Sequence, residues 1–157
     1  MEIEKPIIED FDEINVIAKE VHDLHVEFRP DIFKQAEKPI SQDYFNSLLA
    51  NNQLYVAKEN NRIVGYIIIN PKESDGFTED FYIKCKTIIV EALGVKKEYK
   101  SKGIGTQLMK FVIDYVKRNG YTDIELTVSS ENTDAIKFYE KLGMRPKNIK
   151  YQMRVKK

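Results

Sequence analysis

Two glycines one residue apart, Gly103 and Gly105, stand where a predicted strand meets a predicted helix in "VKKEYKSKGIGTQLMKFVIDYVKRNG". Glycine costs a helix about 0.5–1 kcal/mol relative to alanine, so two of them at a helix start need a local reason. The N–H groups of a first helical turn have no partners within the helix, and together with the helix dipole they attract anions. The sequence therefore predicts a strand–loop–helix unit whose bare backbone can hold a phosphate group.

Two common phosphate-binding patterns do not fit this loop. A P-loop requires G-x-x-x-x-G-K-[ST], and the chain contains no such run. A dinucleotide-binding fingerprint requires G-x-G-x-x-G, and Leu108 occupies the position of the third glycine. The pattern G-x-G alone also fits an ordinary turn between a strand and a helix, so other features must decide.

A single domain spanning residues 1–157 is the simplest organisation for a chain of this length. The composition, 42% apolar and 32% charged, is typical of a globular protein. Basic and acidic residues both number 25, and the resulting zero net charge favours neither a nucleic-acid nor an anionic-membrane partner. Because no apolar run reaches the length of a membrane span and no signal-peptide pattern is present, we expect a cytoplasmic protein.

The hydrophobic pattern predicts a mixed α/β (α+β) fold with the element order β-α-α-β-β-β-α-β-α-β. Helical spacing predicts a helix over 9–28, Ser41 can cap a helix over 42–50, and Asn60-Asn61 predicts a hairpin between two strands. The remaining predictions are a first strand over 2–8, a loop over Pro71–Asp80, one or two strands over Phe81–Val95 that include Cys85, a helix over Thr106–Asn119 ending at Gly120, a strand over 122–129, a helix over 132–143 ending at Gly143, and a hairpin in the tail, 144–157.

The stretch "LGVKKEYKSKGIGTQLM", followed by "NTDAIKFYEKLGM", resembles the GNAT family of acetyl-CoA-dependent N-acetyltransferases. The family signature [QR]-x-x-G-x-[GA] falls on Lys100, Gly103 and Gly105, with lysine in place of the usual arginine or glutamine. That replacement keeps the positive charge and loses the planar fork. The second motif, N-x-x-A-x-x-x-Y-x-x-x-G, falls on residues of the predicted helix over 132–143, namely Asn132, Ala135, Tyr139 and Gly143. The resemblance implies one GNAT-like domain with a central, mostly antiparallel twisted sheet of six to seven strands and about four helices.

The resemblance also implies where acetyl-CoA, the co-substrate, would bind. Backbone groups of Leu93 and Val95 would hydrogen-bond the pantetheine arm as an added half-strand. The backbone of the glycine loop would cradle the pyrophosphate, and Asn132 and Ala135 belong to the motif that contacts the pantetheine region, with Tyr139 near the sulfur. The loop residues are Lys100, Ser101, Lys102, Gly103, Ile104, Gly105 and Thr106.

Acetyl transfer to a primary amine requires a base, because an amine with a pKa near 10.4 is only roughly 0.04% neutral at pH 7. Glu91, on the strand that leads to the cofactor, is the first candidate; Glu125 and a water relay are the alternatives. The leaving thiolate benefits from a proton donor, and the resemblance assigns that role to Tyr139. No cysteine is placed for a covalent route, so we expect direct attack of the amine.

The acceptor site of the family involves the first two helices and the loop between them. That position implies that His25, Arg29 and Phe33, with Glu125, help to choose the acceptor, a small molecule or a protein lysine or N-terminus. His22 and His25 could form half of a metal site, but no further histidine exists, and we expect no metal. A non-catalytic acyl-CoA-binding module is the competing interpretation. The resemblance also implies a possible homodimer, because the last strands of family members often pair or swap between two chains.

Overall fold

Five strands form one sheet in the order β1-β2-β3-β4-β5 in the computed structural model, which describes residues 1–72 and 83–156. Strands β1 to β4 pair antiparallel with their neighbours, and β4 pairs parallel with β5. The strands are β1 (Glu2–Glu4), β2 (Leu54–Glu59), β3 (Arg62–Lys72), β4 (Thr87–Val95) and β5 (Asp123–Leu126). This architecture confirms the predicted mixed α/β class and the mostly antiparallel sheet.

The described residues contain four α-helices, as predicted: α1 (Phe11–Phe28), α2 (Gln42–Ala50), α3 (Ile104–Arg118) and α4 (Thr133–Lys141). The chain divides into two compact units, Met1–Thr127 and Val128–Lys157. The first unit contains the whole sheet with α1, α2 and α3, and the second contains α4. No helix in the described residues is both long and apolar enough to cross a membrane.

Within the first unit the helices cover both faces of the sheet. Successive side chains on a strand point to opposite faces. A Cβ on Gly65 of β3 would meet Ile104 and Leu108, so this face of the sheet carries α3. The next residue, Tyr66, belongs to a buried cluster on the other face with side chains from α1 and α2, including Ile14, Ile17, Phe45 and Leu48.

Local sequence signals explain several element ends. The Ser41 hydroxyl accepts a hydrogen bond from the N–H of Tyr44 at 3.1 Å, which caps α2 as predicted. Asn60 and Asn61 adopt φ values of 50° and 60°, the left-handed pair that a two-residue hairpin turn requires between β2 and β3. Both predictions from sequence are confirmed.

The predicted count of six to seven strands is wrong, because the described residues form five. Within Phe81–Val95 the strand begins only at Thr87; residues 83–86 are not in a strand, Cys85 is exposed, and Phe81 and Tyr82 lie outside the described residues. No described strand includes residues 144–156 of the tail, where a hairpin was predicted. Alternating apolar residues give the side-chain period of a strand, but a strand also requires a neighbouring backbone, which the period cannot supply.

Several element boundaries also differ from the prediction. Strand β1 ends at Glu4 rather than at residue 8, and β5 covers Asp123–Leu126 rather than 122–129. Helix α3 begins at Ile104 rather than at Thr106, so Gly105 lies inside its first turn. Strand β3 continues through Pro71 and Lys72, and the rest of the predicted loop, 73–80, lies outside the described residues. Helix propensity disfavours glycine, and for that reason the sequence alone placed the start of α3 too late.

Candidate active site

Glu91 occupies an irregular position on β4. Ile68 of β3 pairs with Ala92, whereas the next residue, Ile69, pairs with Val90, so Glu91 is the extra residue of a β-bulge. A bulge bends its strand and redirects a side chain, and bulges are frequent next to active sites. The Glu91 carboxylate is exposed, and its Oε1 accepts a hydrogen bond from Asn70 Nδ2 at 3.3 Å. The predicted base therefore lies where the strand changes the direction of its side chains.

Beyond the bulge, β4 extends past the end of β5. The last pair between the two strands is Val90 with Leu126, and β4 continues to Val95. The N–H of Lys96 donates to the carbonyl of Val64 across β3 at 2.8 Å. Backbone groups alternate in direction along an antiparallel strand, so those of Leu93 and Val95 point away from β3. They face the edge of β4 along which β5 no longer pairs.

The N-terminus of α3 is built differently from those of α2 and α4. Its N-cap is Gly103, at φ +82° and ψ +5°, and neither a capping side chain nor an acidic residue accompanies its first turn. In contrast, Ser41 caps α2 and Asn132 caps α4 with a side-chain oxygen. A left-handed residue followed by helical residues turns successive N–H groups toward one side, a concave arrangement that binds anions. The N–H groups at the start of α3 are thus available to a negatively charged ligand.

The two glycines of the loop serve different purposes. Gly103 needs its left-handed φ, which side chains other than glycine rarely adopt, and a Cβ there would meet nothing within 4 Å. Gly105 has no positive φ, so conformation does not explain it. A bare backbone inside the first turn leaves room for a bulky group to approach the N–H donors, and this fits a pyrophosphate.

The loop that precedes α3 is held by hydrogen bonds from its backbone N–H groups and carries lysine side chains at its rim. The N–H of Lys97 donates to Glu20 Oε2 of α1 at 2.8 Å. The N–H of Lys100 donates to the carbonyl of Lys97 at 3.3 Å, so Lys100 would offer an anion its ammonium rather than its N–H. Ser101 is left-handed at φ +63°, and the Lys102 ammonium lies 5.0 Å from the centre of the Tyr99 ring.

Glu125, the rival base, is bound to a cation. Its Oε1 lies 3.6 Å from the ammonium of Lys72, and its side chain is 27% exposed. The structure therefore distinguishes the two predicted carboxylates, since Glu91 receives a neutral amide and Glu125 a charged lysine.

The residues predicted to choose the acceptor lie at the end of α1 and in the loop that follows. The His25 ring packs 5.5 Å from the Phe33 ring, the His22 ring lies 6.0 Å from Phe33, and the two histidine rings are 6.4 Å apart. Burial, together with the neighbouring His22, lowers the pKa of His25. The guanidinium of Arg29 makes a two-pronged pair with Asp31. His25 and Phe33 thus meet, whereas Arg29 binds within the loop.

A metal site at these histidines has no further ligands in the described part of the chain. His22 Nε2 lies 2.7 Å from the carbonyl oxygen of Lys34 and is engaged there. Among residues 1–72 and 83–156, no three His, Cys, Asp or Glu side chains are grouped as metal ligands would be.

In the second unit, α4 presents the remaining predicted residues. Asn132 Oδ1 accepts the N–H of Ala135 at 3.2 Å, which leaves its amide NH₂ as the group that could meet a ligand. At the other end the N–H groups of Gly143 and Met144 bond to the carbonyls of Glu140 and Tyr139, the C-terminal arrangement that a left-handed glycine permits. Burial raises the pKa of the Tyr139 phenol above its ordinary 10.0, which keeps it protonated at neutral pH.

Sequence reasoning missed Asn70, which donates a hydrogen bond to the Glu91 carboxylate, and Gln53, which donates to Asn70. One signal was available, because Asn70 ends the apolar run "IVGYIII" on the face shared by Tyr66 and Ile68. Tyr44 was missed as well: burial, and after it the charge of Glu91, raise the pKa of this half-exposed α2 tyrosine.

The chain belongs to the GNAT family of acetyltransferases, because the family model described as "Acetyltransferase (GNAT) family" matches residues 18–144. N-alpha-acetyltransferase 30 of Schizosaccharomyces pombe is 34% identical over 89 residues, which is 57% of this chain and 55% of that protein. The chain spans about half the length of such curated relatives.

Solved structures share the fold over nearly the whole chain. The tetramutant of the BH1408 protein from Bacillus halodurans has a TM-score of 0.91 and 26% identity, covering 99% of this chain and 100% of that one. An aminoglycoside acetyltransferase from an uncultured soil metagenomic sample, in complex with sisomicin, has a TM-score of 0.65 at 17% identity, covering 99% of this chain and 96% of that one. The second likeness concerns the fold alone.

Proposed function

We propose that residues 1–157 form an N-acetyltransferase domain that moves the acetyl group of acetyl-CoA to a primary amine by direct attack. The observation that carries the proposal is the uncapped start of α3 beside the extended edge of β4. The first offers N–H groups to a pyrophosphate, and the second offers the backbone of Leu93 and Val95 to an amide-containing arm. Coenzyme A contains both of these chemical features.

Acetyl-CoA supplies the acetyl group, and the C–S bond of its thioester breaks as the C–N bond to the acceptor forms. In the proposed reaction Glu91 removes the proton that the attacking amine loses. Tyr139 gives a proton to the departing sulfur and is recharged from solvent, so amine and thioester become amide and thiol. A general base or acid contributes about 10²–10⁴-fold to such a step.

The proposed acceptors are amines of small molecules or of protein chains. The relative from Schizosaccharomyces pombe is named for N-alpha-acetylation, and one fold neighbour is named for aminoglycosides. Both acceptor types present a primary amine. The match to the first protein covers 55% of its length, and the second is 17% identical, so neither fixes the acceptor of this chain.

The test combines calorimetry of coenzyme A with turnover on a panel of amines. The panel contains a peptide with a free N-terminus, a peptide lysine, sisomicin and spermidine. The proposal expects coenzyme A binding together with acetylation of at least one amine. Binding without turnover on any amine would identify an acyl-CoA-binding module instead, and absence of binding would remove both interpretations.

A Gly105→Val variant tests the observation behind the proposal. The added side chain would stand over the first-turn N–H groups, so we expect weaker coenzyme A binding in calorimetry. Gln107→Val, on an exposed position of the same helix, is the control, because it places the same β-branched side chain one residue beyond the first turn without covering those groups.

A further inference from the structure

The Glu91 carboxylate stands at the end of a chain of two side-chain amides. Asn70 Nδ2 donates to Glu91 Oε1 at 3.3 Å, and Asn70 Oδ1 accepts from Gln53 Nε2 at 2.8 Å. We call Gln53 and Asn70 the amide pair. Hydrogen bonds therefore connect the segment after α2, strand β3 and the bulge of β4, which are far apart in sequence.

The far end of the amide pair is fixed by its backbone. The N–H of Gln53 donates to the carbonyl of Leu48 in α2 at 3.0 Å, and its carbonyl accepts from the N–H of Ile69 in β3 at 2.8 Å. Gln53 and Asn70 are half-buried, whereas Glu91 is exposed. The exposed carboxylate thus receives its hydrogen bond from a partner that is anchored to the sheet and to α2.

The direction of the Asn70 amide follows from the Glu91 carboxylate. An amide offers a carbonyl acceptor at one end and NH₂ donors at the other. Because the ionised Glu91 carboxylate only accepts hydrogen bonds, Asn70 must present its NH₂ to Glu91, and its carbonyl then accepts from Gln53 Nε2. The amide pair therefore holds a donor, and never an acceptor, toward Glu91.

We propose that Gln53 and Asn70 are positioning residues, which hold one oxygen of Glu91 so that the other oxygen faces the acceptor amine. This inference rests on the proposed function, in which Glu91 is the base. A neutral donor orients a carboxylate without bringing a positive charge to it, in contrast to Lys72 beside Glu125. The bulge in β4 and the Asn70 amide on β3 both determine the direction of the Glu91 side chain.

Two tyrosines are the neighbouring titratable groups whose electrostatics involve Glu91. Burial, and after it the charge of Glu91, raise the pKa of Tyr44 on α2, and burial, and after it Tyr44, raise the pKa of Tyr66 on β3. On the neighbouring strands, Glu125 is paired with Lys72. Both tyrosines remain neutral over the pH range in which a carboxylate changes its charge.

The first part of the test removes each amide with a side chain of similar size. Asn70→Leu and Gln53→Met should lower kcat roughly tenfold or more, because a small displacement of a reacting group is costly, and should leave KM for acetyl-CoA unchanged. In a Glu91→Gln background neither change should lower kcat further. Gln42 Nε2 donates to Asn46 Oδ1 at 3.0 Å on the exposed face of α2, so Gln42→Met and Asn46→Leu are matched controls that keep wild-type kcat.

The second part uses a readout that a merely structural role would not move. Asn70→Asp sets a second carboxylate against Glu91, and like charges disfavour ionisation. The side-chain ¹³C resonance of Glu91, identified by its loss in Glu91→Gln, should then titrate at higher pH than in the wild type. The acidic limb of kcat/KM should move to higher pH with it, whereas Asn46→Asp should move neither.

The outcomes separate this inference from the proposed function. Loss of kcat in Asn70→Leu and Gln53→Met, non-additive with Glu91→Gln, supports the positioning role. Wild-type kcat in both variants beside an impaired Glu91→Gln overturns the role and leaves Glu91 as the base. Wild-type kcat in Glu91→Gln overturns the base and the positioning role but leaves acetyl transfer, and no turnover by the wild type on any amine removes all three.

Discussion

The side chain of Asn15 in α1 holds both backbone groups of Ile40. Its Nδ2 donates to the carbonyl of Ile40 at 3.0 Å, and its Oδ1 accepts the N–H of Ile40 at 3.0 Å. Both residues are buried, with 3% and 4% of their surfaces exposed. This double hydrogen bond joins the end of the α1–α2 loop, which contains Arg29 and Phe33, to the second turn of α1.

Asn15→Ala should lower the free energy of unfolding by about 2–6 kcal/mol, because two buried backbone groups would lose their partners at about 1–3 kcal/mol each. Urea unfolding measures the change. Asn51→Ala is the control, since Asn51 donates to the carbonyl of Ser47 on an exposed surface and should change stability by less than about 1 kcal/mol. Equal losses in the two variants would contradict a special role for the Asn15–Ile40 bond.

Gly94→Ala should also destabilise the protein, for a steric reason. A Cβ at this position on β4 would stand 2.4 Å from Tyr66 Cε1 and 3.1 Å from Ile17 Cγ2. Tyr66 is 3% exposed and cannot move aside without disturbing the core, so the expected cost is about 1–3 kcal/mol.

A double-mutant cycle identifies the cause of that loss. In a Tyr66→Leu background the ring is absent, and Gly94→Ala should cost clearly less than in the wild type. The free energy of unfolding in urea is the measurement. An additive result would show that the ring is not what excludes a side chain from position 94.

The stability of the protein should depend on the charge of His25. Burial and the neighbouring His22 lower the pKa of His25 below 6.5 in the folded state, and Phe33 covers one side of its ring. In the unfolded chain the residue takes up a proton near its ordinary pKa, whereas the folded chain takes it up only at lower pH. The unfolded state therefore binds more protons as the pH falls through about 6.5, and stability decreases there.

The measurement is urea unfolding at about pH 7.5 and about pH 5.5, values that bracket the ordinary pKa of histidine. The wild type should lose more free energy of unfolding between the two than His25→Phe, which keeps a ring against Phe33 but cannot be protonated. An equal loss in both proteins would assign the pH dependence to other groups.

Sequence patterns predicted the parts of this fold that depend on local energetics. Helical spacing predicts Leu108, Val112, Tyr115 and Val116 as the inner residues of α3; three of them are buried and Tyr115 is half-buried. The asparagine pair at 60–61 forms its turn, and both results depend on preferences that act within a few residues. The strand count was wrong because strands depend on partners that are distant along the chain. The bulge at Glu91 could not be predicted, since an extra residue in one strand is visible only when the register with the other is known.

The candidate site divides in the same way. The glycine loop and the α4 motif are each a continuous stretch of sequence, so a resemblance to a family could assign their predicted roles. Gln53, Asn70 and Glu91 come together only through the β3–β4 register and the contact of β3 with the end of α2. Ordinary polar residues at strand ends carry no signal of such a link, and neither does the pairing of Glu125 with Lys72.

Tyr139→Phe should lower kcat by about 10²-fold or more while leaving the dissociation constant of coenzyme A nearly unchanged, because only the donated proton is lost. Burial raises the pKa of Tyr139 above 10.0, so the phenol stays protonated and any basic limb that it causes should lie above pH 10. Tyr151→Phe is the matched control, since Tyr151 is 88% exposed and should turn over as the wild type does. Steady-state kinetics and calorimetry on the three proteins decide the matter: a Tyr139→Phe variant with full kcat would assign the proton to another donor, and one that no longer binds coenzyme A would assign Tyr139 to binding.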